Sequence, residues 1–314
     1  MTPITVAMCT WNGARFLAAQ LDSLAQQTLR PTELVVADDG STDDTLGVMA
    51  RFAAGAPFPV RVLPHTTRLG VVRNFERALT AIPAGRIALA DQDDVWAATR
   101  LAAGAAAMDA AEARLGRAAP VLVHSDMRVI DQHGAEVCAS FFARRGFQRL
   151  HHNPLRELVL QNYVTGCSVL LNRAVVELAL PFPTANSIHD WWLALVAAAA
   201  GTVVTLPERT VGYRMHDSNV IGIKRVEWRP YMRRKSARPL FARALRESLA
   251  LQRRLQERSV TGPGPEFLQR YHDRVRRGGL RAALGMVTEG VRLQNTLPTL
   301  SYYGHVLARA LPVE

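Results

Sequence analysis

Apolar and polar positions change period repeatedly along the first third of the chain. "ITVAMC" (4–9) is a continuous apolar run that predicts a buried strand. Phe16, Leu17, Leu21 and Leu24 then recur at helical spacing and predict a helix over 14–27. "ELVVAD" (33–38) predicts a second strand, followed by the turn "DGSTDD" and a helix over 44–53. "VRVLP" (60–64), a helix from Val71 to Leu79 and "RIALA" (86–90) repeat the unit. This is a βαβ series, which predicts an α/β fold: a mostly parallel sheet flanked by helices. In such sheets ligands bind beyond the carboxyl ends of the strands. Three of those ends are chemically rich: Thr10-Trp11-Asn12-Gly13, Asp38-Asp39-Gly40-Ser41 and Asp91-Gln92-Asp93-Asp94.

The last third has a different pattern. "RPLFARALRESLALQRRLQERS" (238–259) places Leu240, Phe241, Leu245, Leu249 and Leu255 at roughly helical spacing, with arginines mainly elsewhere, and predicts an amphipathic helix. "GPGP" (262–265) should separate it from a helix over 266–277. Charge follows the same division. Residues 224–314 hold 19 of the 38 Lys and Arg and 7 of the 27 Asp and Glu, a net of +12 against −1 for residues 1–223. A boundary is therefore expected near Lys224, between a catalytic domain (1–223) and a basic, mainly helical C-terminal extension (224–314). The extension's helix is expected to pack on the catalytic domain or on a partner subunit, as in a homodimer. The competing expectation is peripheral contact with an anionic membrane, where each Lys or Arg contributes about 1 kcal/mol.

Composition narrows the setting. The three cysteines are far apart and in no C-x-x-C pair, which suits a reducing compartment and argues against a zinc site. No basic residue precedes Arg15, so no signal peptide is expected. The longest apolar stretch, Trp191 to Leu206, is broken by Gly201 and two threonines and is too short to span a bilayer. A cytoplasmic location, on the inner face of the membrane at most, is expected.

The chemistry concentrates in "LADQDDVW" (89–96). Asp91, Asp93 and Asp94 would repel one another by about a kcal/mol or more if clustered without a cation. Neither G-x-x-x-x-G-K-[ST] nor a G-x-G-x-x-G after the first strand is present. A nucleotide would then be held through Mg²⁺ or Mn²⁺, which uses one or two carboxylates plus substrate phosphates. In an extended stretch Asp91 and Asp93 would point the same way. The plainer alternative is that these aspartates cap the following helix.

Eight segments, in order, resemble an inverting family-2 glycosyltransferase of the GT-A fold, a Rossmann-like nucleotide-diphospho-sugar transferase. They are "CTWNGARFL" (9–17), "VVADDGSTDD" (35–44), "RLGVVRNFERAL" (68–79), "LADQDDVW" (89–96), "VHSDMRVID" (123–131), "TGCSVLLNRA" (165–174), "HDWWLALVAAAAG" (189–201) and "YRMHDSN" (213–219). The forms "DQDDVW" and "HDWWL" look most like the rhamnosyltransferase branch. The resemblance covers about residues 3–222. It implies that Thr10 and Trp11 line a nucleobase pocket and that Asp38 accepts from a pyrimidine N3–H. Asp91 then lies on the ribose side, and Asp93 is the metal ligand of a D-x-D motif. Asn12, Asp39 and Gln92 belong with these donor-binding residues, as do Arg73 and Asn74. His216 would contact metal or diphosphate, and Arg214 would neutralise phosphate or pair with a surface carboxylate. Asp190 takes the place of the general base, with Gly166 and Trp191 in the acceptor cleft.

The implied activity is transfer of a sugar, rhamnose among the options, from a UDP- or dTDP-sugar to a hydroxyl of a glycan or lipid-linked acceptor. The setting would be cell-surface polysaccharide synthesis. A nucleotidyltransferase would need a basic, glycine-rich loop at the first strand end, where only Arg15 is offered. A non-catalytic sugar-nucleotide-binding protein would not need both the D-x-D motif and Asp190. A nucleic-acid partner is not expected, since the basic excess is confined to the tail. Acceptor choice is expected to lie in 138–153, "CASFFARRGFQRLHHN".

Overall fold

A computed structural model describes residues 2–147, 153–183, 188–217, 234–309 and 311. The predicted βαβ series forms as β1 (Ile4–Thr10), α1 (Ala14–Ala25), β2 (Glu33–Asp38), α2 (Thr45–Ala53), β3 (Val60–Leu63), α3 (Val71–Thr80) and β4 (Arg86–Asp91). β5 (Val95–Trp96), α4 (Arg100–Leu115), β6 (Val121–Ile130), β7 (Glu136–Cys138), α5 (Phe141–Arg145) and α6 (Pro154–Leu158) follow. A 3₁₀ turn at Gly166–Ser168 leads into β8 (Leu170–Asn172), α7 (Arg173–Ala179), α8 (His189–Ala200) and β9 (Thr202–Arg214).

These strands make one sheet in the order β3-β2-β1-β4-β8-β6-β9-β5, with β7 on the edge of β6. The expectation of parallel pairing holds for β3-β2-β1-β4. Beyond β4 the sheet is mixed: β8 runs antiparallel to both β4 and β6, while β6 and β9 pair in parallel. The change of direction has a physical cause. β8 enters from the 3₁₀ turn rather than from a crossover helix, so no βαβ constraint sets its direction. β1, β2 and β4 are buried on both faces, as their near-continuous apolar runs require, while β3 at the edge is half-buried.

The C-terminal residues form α9 (Arg234–Glu257), α10 (Pro263–Arg277), α11 (Gly279–Thr288) and α12 (Thr296–Leu307). "GPGP" was expected to break the chain up to 265, yet α10 begins at Pro263. Proline costs nothing in a first turn, where its missing N–H would be unpaired anyway. Gly264 sits so close to the end of α8 that a Cβ would lie 1.9 Å from the Ala199 carbonyl oxygen. Phe241, Leu245 and Leu255 of α9 are buried in the same apolar cluster as the sheet. The Arg254 guanidinium donates to the carbonyls of Leu178, Ala179 and Pro181, closing the end of α7. Most of the apolar stripe of α9 is therefore packed inward, with Leu249 partly buried and Leu240 46% exposed. The boundary expected at Lys224 lies outside the described residues.

Candidate active site

The carboxyl ends of β1, β2 and β4 lie side by side, with Thr10 opposite Asp38 and Cys9 opposite Asp91 in register. Beyond them the chain is held by short polar links. Gln92 clamps the backbone of Trp11, accepting from its N–H at 2.8 Å and donating to its carbonyl at 3.1 Å. Gly13 makes room for that clamp, because a Cβ there would lie 2.2 Å from Gln92 Oε1. Asn12 adopts φ +48°, a left-handed conformation that asparagine tolerates, and its side chain accepts from the Thr42 N–H at 2.8 Å.

Asp38 is buried and accepts four bonds. Its donors are Thr10 Oγ1 (2.8 Å), Ser41 Oγ (2.6 Å) and the N–H groups of Gly40 and Ser41 (3.1 and 2.9 Å). A carboxylate has about four lone-pair sites. The structure thus gives Asp38 the task of shaping the loop, and reading a pyrimidine N3–H would displace one of these donors. Asp39 holds the next loop, accepting from the N–H groups of Leu69 and Gly70. That loop brings Arg68 over the half-exposed Trp11 ring, 3.4 Å from its centroid.

The acidic segment is a turn, not an extended strand. β4 ends at Asp91 and residues 92–93 reverse the chain. The i, i+2 alternation therefore does not align Asp91 with Asp93; the turn and its braces do. Asp93 Oδ2 lies 2.8 Å from His216 Nε2, so the two expected metal ligands are brought together from β4 and the end of β9. Asp91, Asp94 and Cys167 form a second, deeper group whose ligand atoms all lie within 4.8 Å of one another. Burial, then the charges of Asp94, Asp93 and Asp190, push the Asp91 carboxyl well above its ordinary range, opposed by Arg100. Burial and Asp93 push Asp94 up to about 7.

The protein supplies part of the positive charge that the sequence assigned wholly to a metal. Arg100 is buried against the Trp96 ring and donates to the carbonyls of Leu89, Cys167 and Val169 at 3.2, 2.6 and 3.3 Å. Desolvation brings its guanidinium down to about 9, with Cys167, Asp94 and Asp91 opposing the shift. Sequence reasoning missed it, because an arginine nine residues after Asp91 carries no motif. Arg214 is buried and braces the turn: its N–H donates to Asp94 at 3.0 Å and its Nε to the Asp93 carbonyl at 2.7 Å. A further donor, Nη1, reaches the Asp131 carbonyl at 3.1 Å. The Arg214 side chain thus meets backbone carbonyls of the turn and of residues 131–132.

Asp190 opens α8 and is buried. Its Oδ1 accepts from Asn162 Nδ2 at 2.9 Å and the Trp191 N–H at 2.6 Å, and its Oδ2 from the Gly166 N–H at 2.9 Å. Its negative charge adds to the repulsion that raises Asp91, so the two carboxylates interact electrostatically. Burial raises the Asp190 pKa, with His189, Gly166, Trp191 and Asn162 opposing. His189 stacks on Phe75 with centroids 4.2 Å apart. Its Nε2 is buried without a hydrogen-bond partner among the described residues. A Cβ on Gly166 would lie 2.8 Å from that nitrogen, so glycine here permits the close approach that seats Asp190. Asn162 had not been singled out, since a lone asparagine outside every motif gives no signal.

Three other residues expected at the site make packing and bracing contacts. Trp191 is buried and its indole N–H donates to the Leu158 carbonyl at 2.7 Å, packing α8 against α6. Asn74 is buried and donates to the Ala37 carbonyl at 2.6 Å, tying α3 to β2 instead of reaching a donor. Arg73 pairs with Glu76 one turn along α3 and donates to the Phe182 carbonyl at 3.4 Å. No described contact joins it to the carboxylates. Asp126 is buried and engaged by Ser140, Arg209 and the N–H groups of Met127 and Phe142. Of the segment expected to choose the acceptor, 148–152 lies outside the described residues.

Comparison with known proteins agrees with this arrangement. An uncharacterized protein of Mycobacterium tuberculosis is 29% identical over 216 residues, which cover 68% of this chain and 59% of that protein. The chain thus spans less than two thirds of that relative's length. The dTDP-rhamnosyl transferase RfbG of Shigella flexneri is 31% identical over 93 residues, covering 28% of this chain and 32% of RfbG. Among solved structures, S. aureus TarS 1–349 in complex with UDP-GlcNAc superposes with a TM-score of 0.55. It is 19% identical and covers 81% of this chain and 71% of that one, which shows a shared GT-A fold. A family profile described as glycosyl transferase family 2 matches residues 5–166, from β1 to the turn that seats Asp190. The chain belongs to glycosyl transferase family 2.

Proposed function

We propose that the protein is a metal-dependent, inverting glycosyltransferase that moves a sugar from a UDP- or dTDP-sugar to a hydroxyl of a glycan or lipid-linked acceptor. The observation that carries the reading is Asp190: a buried carboxylate with a raised pKa, fixed by three donors and electrostatically coupled to Asp91. A general base works best when its pKa is lifted toward the working pH, and burial does that here. Rhamnose is favoured among donors by the forms "DQDDVW" and "HDWWL" and by the likeness to RfbG.

The donor set fits a divalent ion. Asp93 Oδ2 and His216 Nε2 lie 2.8 Å apart, and one carboxylate plus one imidazole suits Mn²⁺ at least as well as Mg²⁺. When bound, such an ion offsets negative charge on a departing diphosphate. The chain's own residues do the rest. Trp11, half exposed at the end of β1, offers a face on which a base can stack. Asp190 accepts the proton of the acceptor hydroxyl as that oxygen attacks the anomeric carbon. Attack from the face opposite the leaving diphosphate inverts the configuration, and no covalent nucleophile is needed. A basic extension that packs on the catalytic domain (1–223 and 224–314) remains part of this reading.

A screen of sugar nucleotides tests it. Purified protein with Mn²⁺ or Mg²⁺ should slowly release nucleoside diphosphate from a UDP- or dTDP-sugar. Chelation, or Asp93→Ala with its fold intact by circular dichroism, should abolish the release. Full-rate turnover after chelation would remove the metal from the proposal. Failure of every UDP- and dTDP-sugar to bind would remove the donor class.

A further inference from the structure

The last two helices carry an apolar face that the core does not use. On α11, Leu280, Leu284 and Val287 lie in one stripe and are 64%, 55% and 50% exposed. On α12, Leu297, Leu300 and Leu307 form another stripe, 54%, 58% and 50% exposed. A Cβ on Gly304, within that stripe, would meet nothing within 4 Å. The opposite sides of the same helices are buried, through Ala282, Ala283 and Met286 on α11 and Tyr302 and Val306 on α12. Both helices are thus fixed to the protein by one side while a row of large aliphatics points outward. Scattered exposed leucines need no explanation, but two stripes on neighbouring helices mark a contact surface.

Charge selects the partner. Arg277 ends α10 beside Leu280, Arg281 adjoins it on α11, and Arg309 follows Leu307. All three are exposed, and none forms an ion pair among the described residues. From residue 276 to residue 309 the only acidic residue is Glu289, which Arg270 and Arg274 already engage. A second copy of this face would set arginine against arginine. An anionic bilayer surface offers the opposite sign together with an apolar layer beneath its headgroups.

We propose that the outward face of α11 and α12 docks on an anionic lipid surface, the aliphatic stripes entering the headgroup boundary and the arginines meeting lipid phosphates. The proposed contact thus lies at the end of the chain and not on α9, most of whose stripe is buried. In this orientation the protein rests on the bilayer, and no described helix is long and apolar enough to cross it.

Vesicle flotation of the full chain, with no donor present, tests the docking independently of sugar transfer. The protein should float with phosphatidylcholine vesicles that contain phosphatidylglycerol, not with phosphatidylcholine alone, and salt should weaken the binding. Arg277→Gln, Arg281→Gln and Arg309→Gln should each weaken it by about fivefold. Leu284→Asn with Leu300→Asn should abolish it while thermal unfolding stays unchanged, because both side chains are already exposed. The proposal fails if the wild type ignores anionic vesicles, or if either variant set binds like the wild type. It also fails if light scattering shows a dimer that the leucine variant dissociates without any vesicle binding by the wild type.

Discussion

Asp190 sits among three donors, and those donors determine what a substitution there measures. Asn in its place can still accept from Asn162 and the Trp191 N–H, but its amide would face the Gly166 N–H. A buried donor left unpaired costs about 1–3 kcal/mol. Asp190→Asn should therefore lower thermal stability modestly. It should also reduce kcat by about 10²–10⁴ with donor affinity preserved, since the base acts on the acceptor. Isothermal titration with nucleoside diphosphate alongside single-turnover kinetics separates the two effects, and near wild-type kcat would end the assignment. The pH dependence has a defined sign. Burial raises the folded-state pKa of Asp190, so the folded protein holds that proton more tightly than the unfolded chain. Its contribution to stability is present at low pH and lost as pH rises through the folded value. Activity runs the other way: the kcat profile should fall on the acid side at a pH above the ordinary carboxylate range, and that limb should vanish in Asp190→Asn. Gly166→Ala offers a milder check. Its Cβ would press on His189 Nε2 at 2.8 Å and shift the Asp190 seat, so kcat should drop more than donor affinity.

At the scale of elements, the acidic turn after β4 depends on the arginines that brace it, Arg100 and Arg214. Arg100 ties α4 to β4 and to the chain entering β8 through three carbonyls, while its charge lies under Asp91 and Asp94. Arg100→Met keeps much of the volume but removes a donor from those carbonyls and leaves the carboxylates uncompensated. Loss of one partner from a buried charged cluster costs about 3–5 kcal/mol. Urea unfolding should show a loss of that order, and a change under 1 kcal/mol would show that the carboxylates adapt by taking up protons. The element boundaries were largely legible beforehand: β1, β2, β4 and α3 lie within one or two residues of their predicted ends, because apolar period and turn residues are local signals. The partners of Arg214 and Asn74 were not, because a bond across 120 residues or from helix to strand leaves no mark on the spacing.

For the whole molecule, the basic tail and the catalytic sheet share one apolar cluster. Removing residues after Gly222 would uncover the surfaces of α7 and α8 that α9 and α10 cover, including the carbonyls that Arg254 pairs. The truncated chain should be markedly less stable by differential scanning calorimetry and should bind an apolar dye. Unchanged melting would show instead that 1–223 is an independent domain.

The sequence by itself determined the α/β class, the ends at which chemistry would gather, the family and the uneven charge. These follow from local periodicity, short motifs and composition, which need no knowledge of distant contacts. Tertiary structure decided which of the marked residues meet. It brought His216 to Asp93 and Gly166 to Asp190, and it turned Trp191, Asn74 and Arg214 toward packing and bracing. It also buried most of the apolar face of α9 and left those of α11 and α12 outside. A helical stripe reads the same in sequence whether protein, lipid or water lies against it. Only the packing of the other elements settles which one does, because burial is a property of the assembled surface and not of the residues that form it.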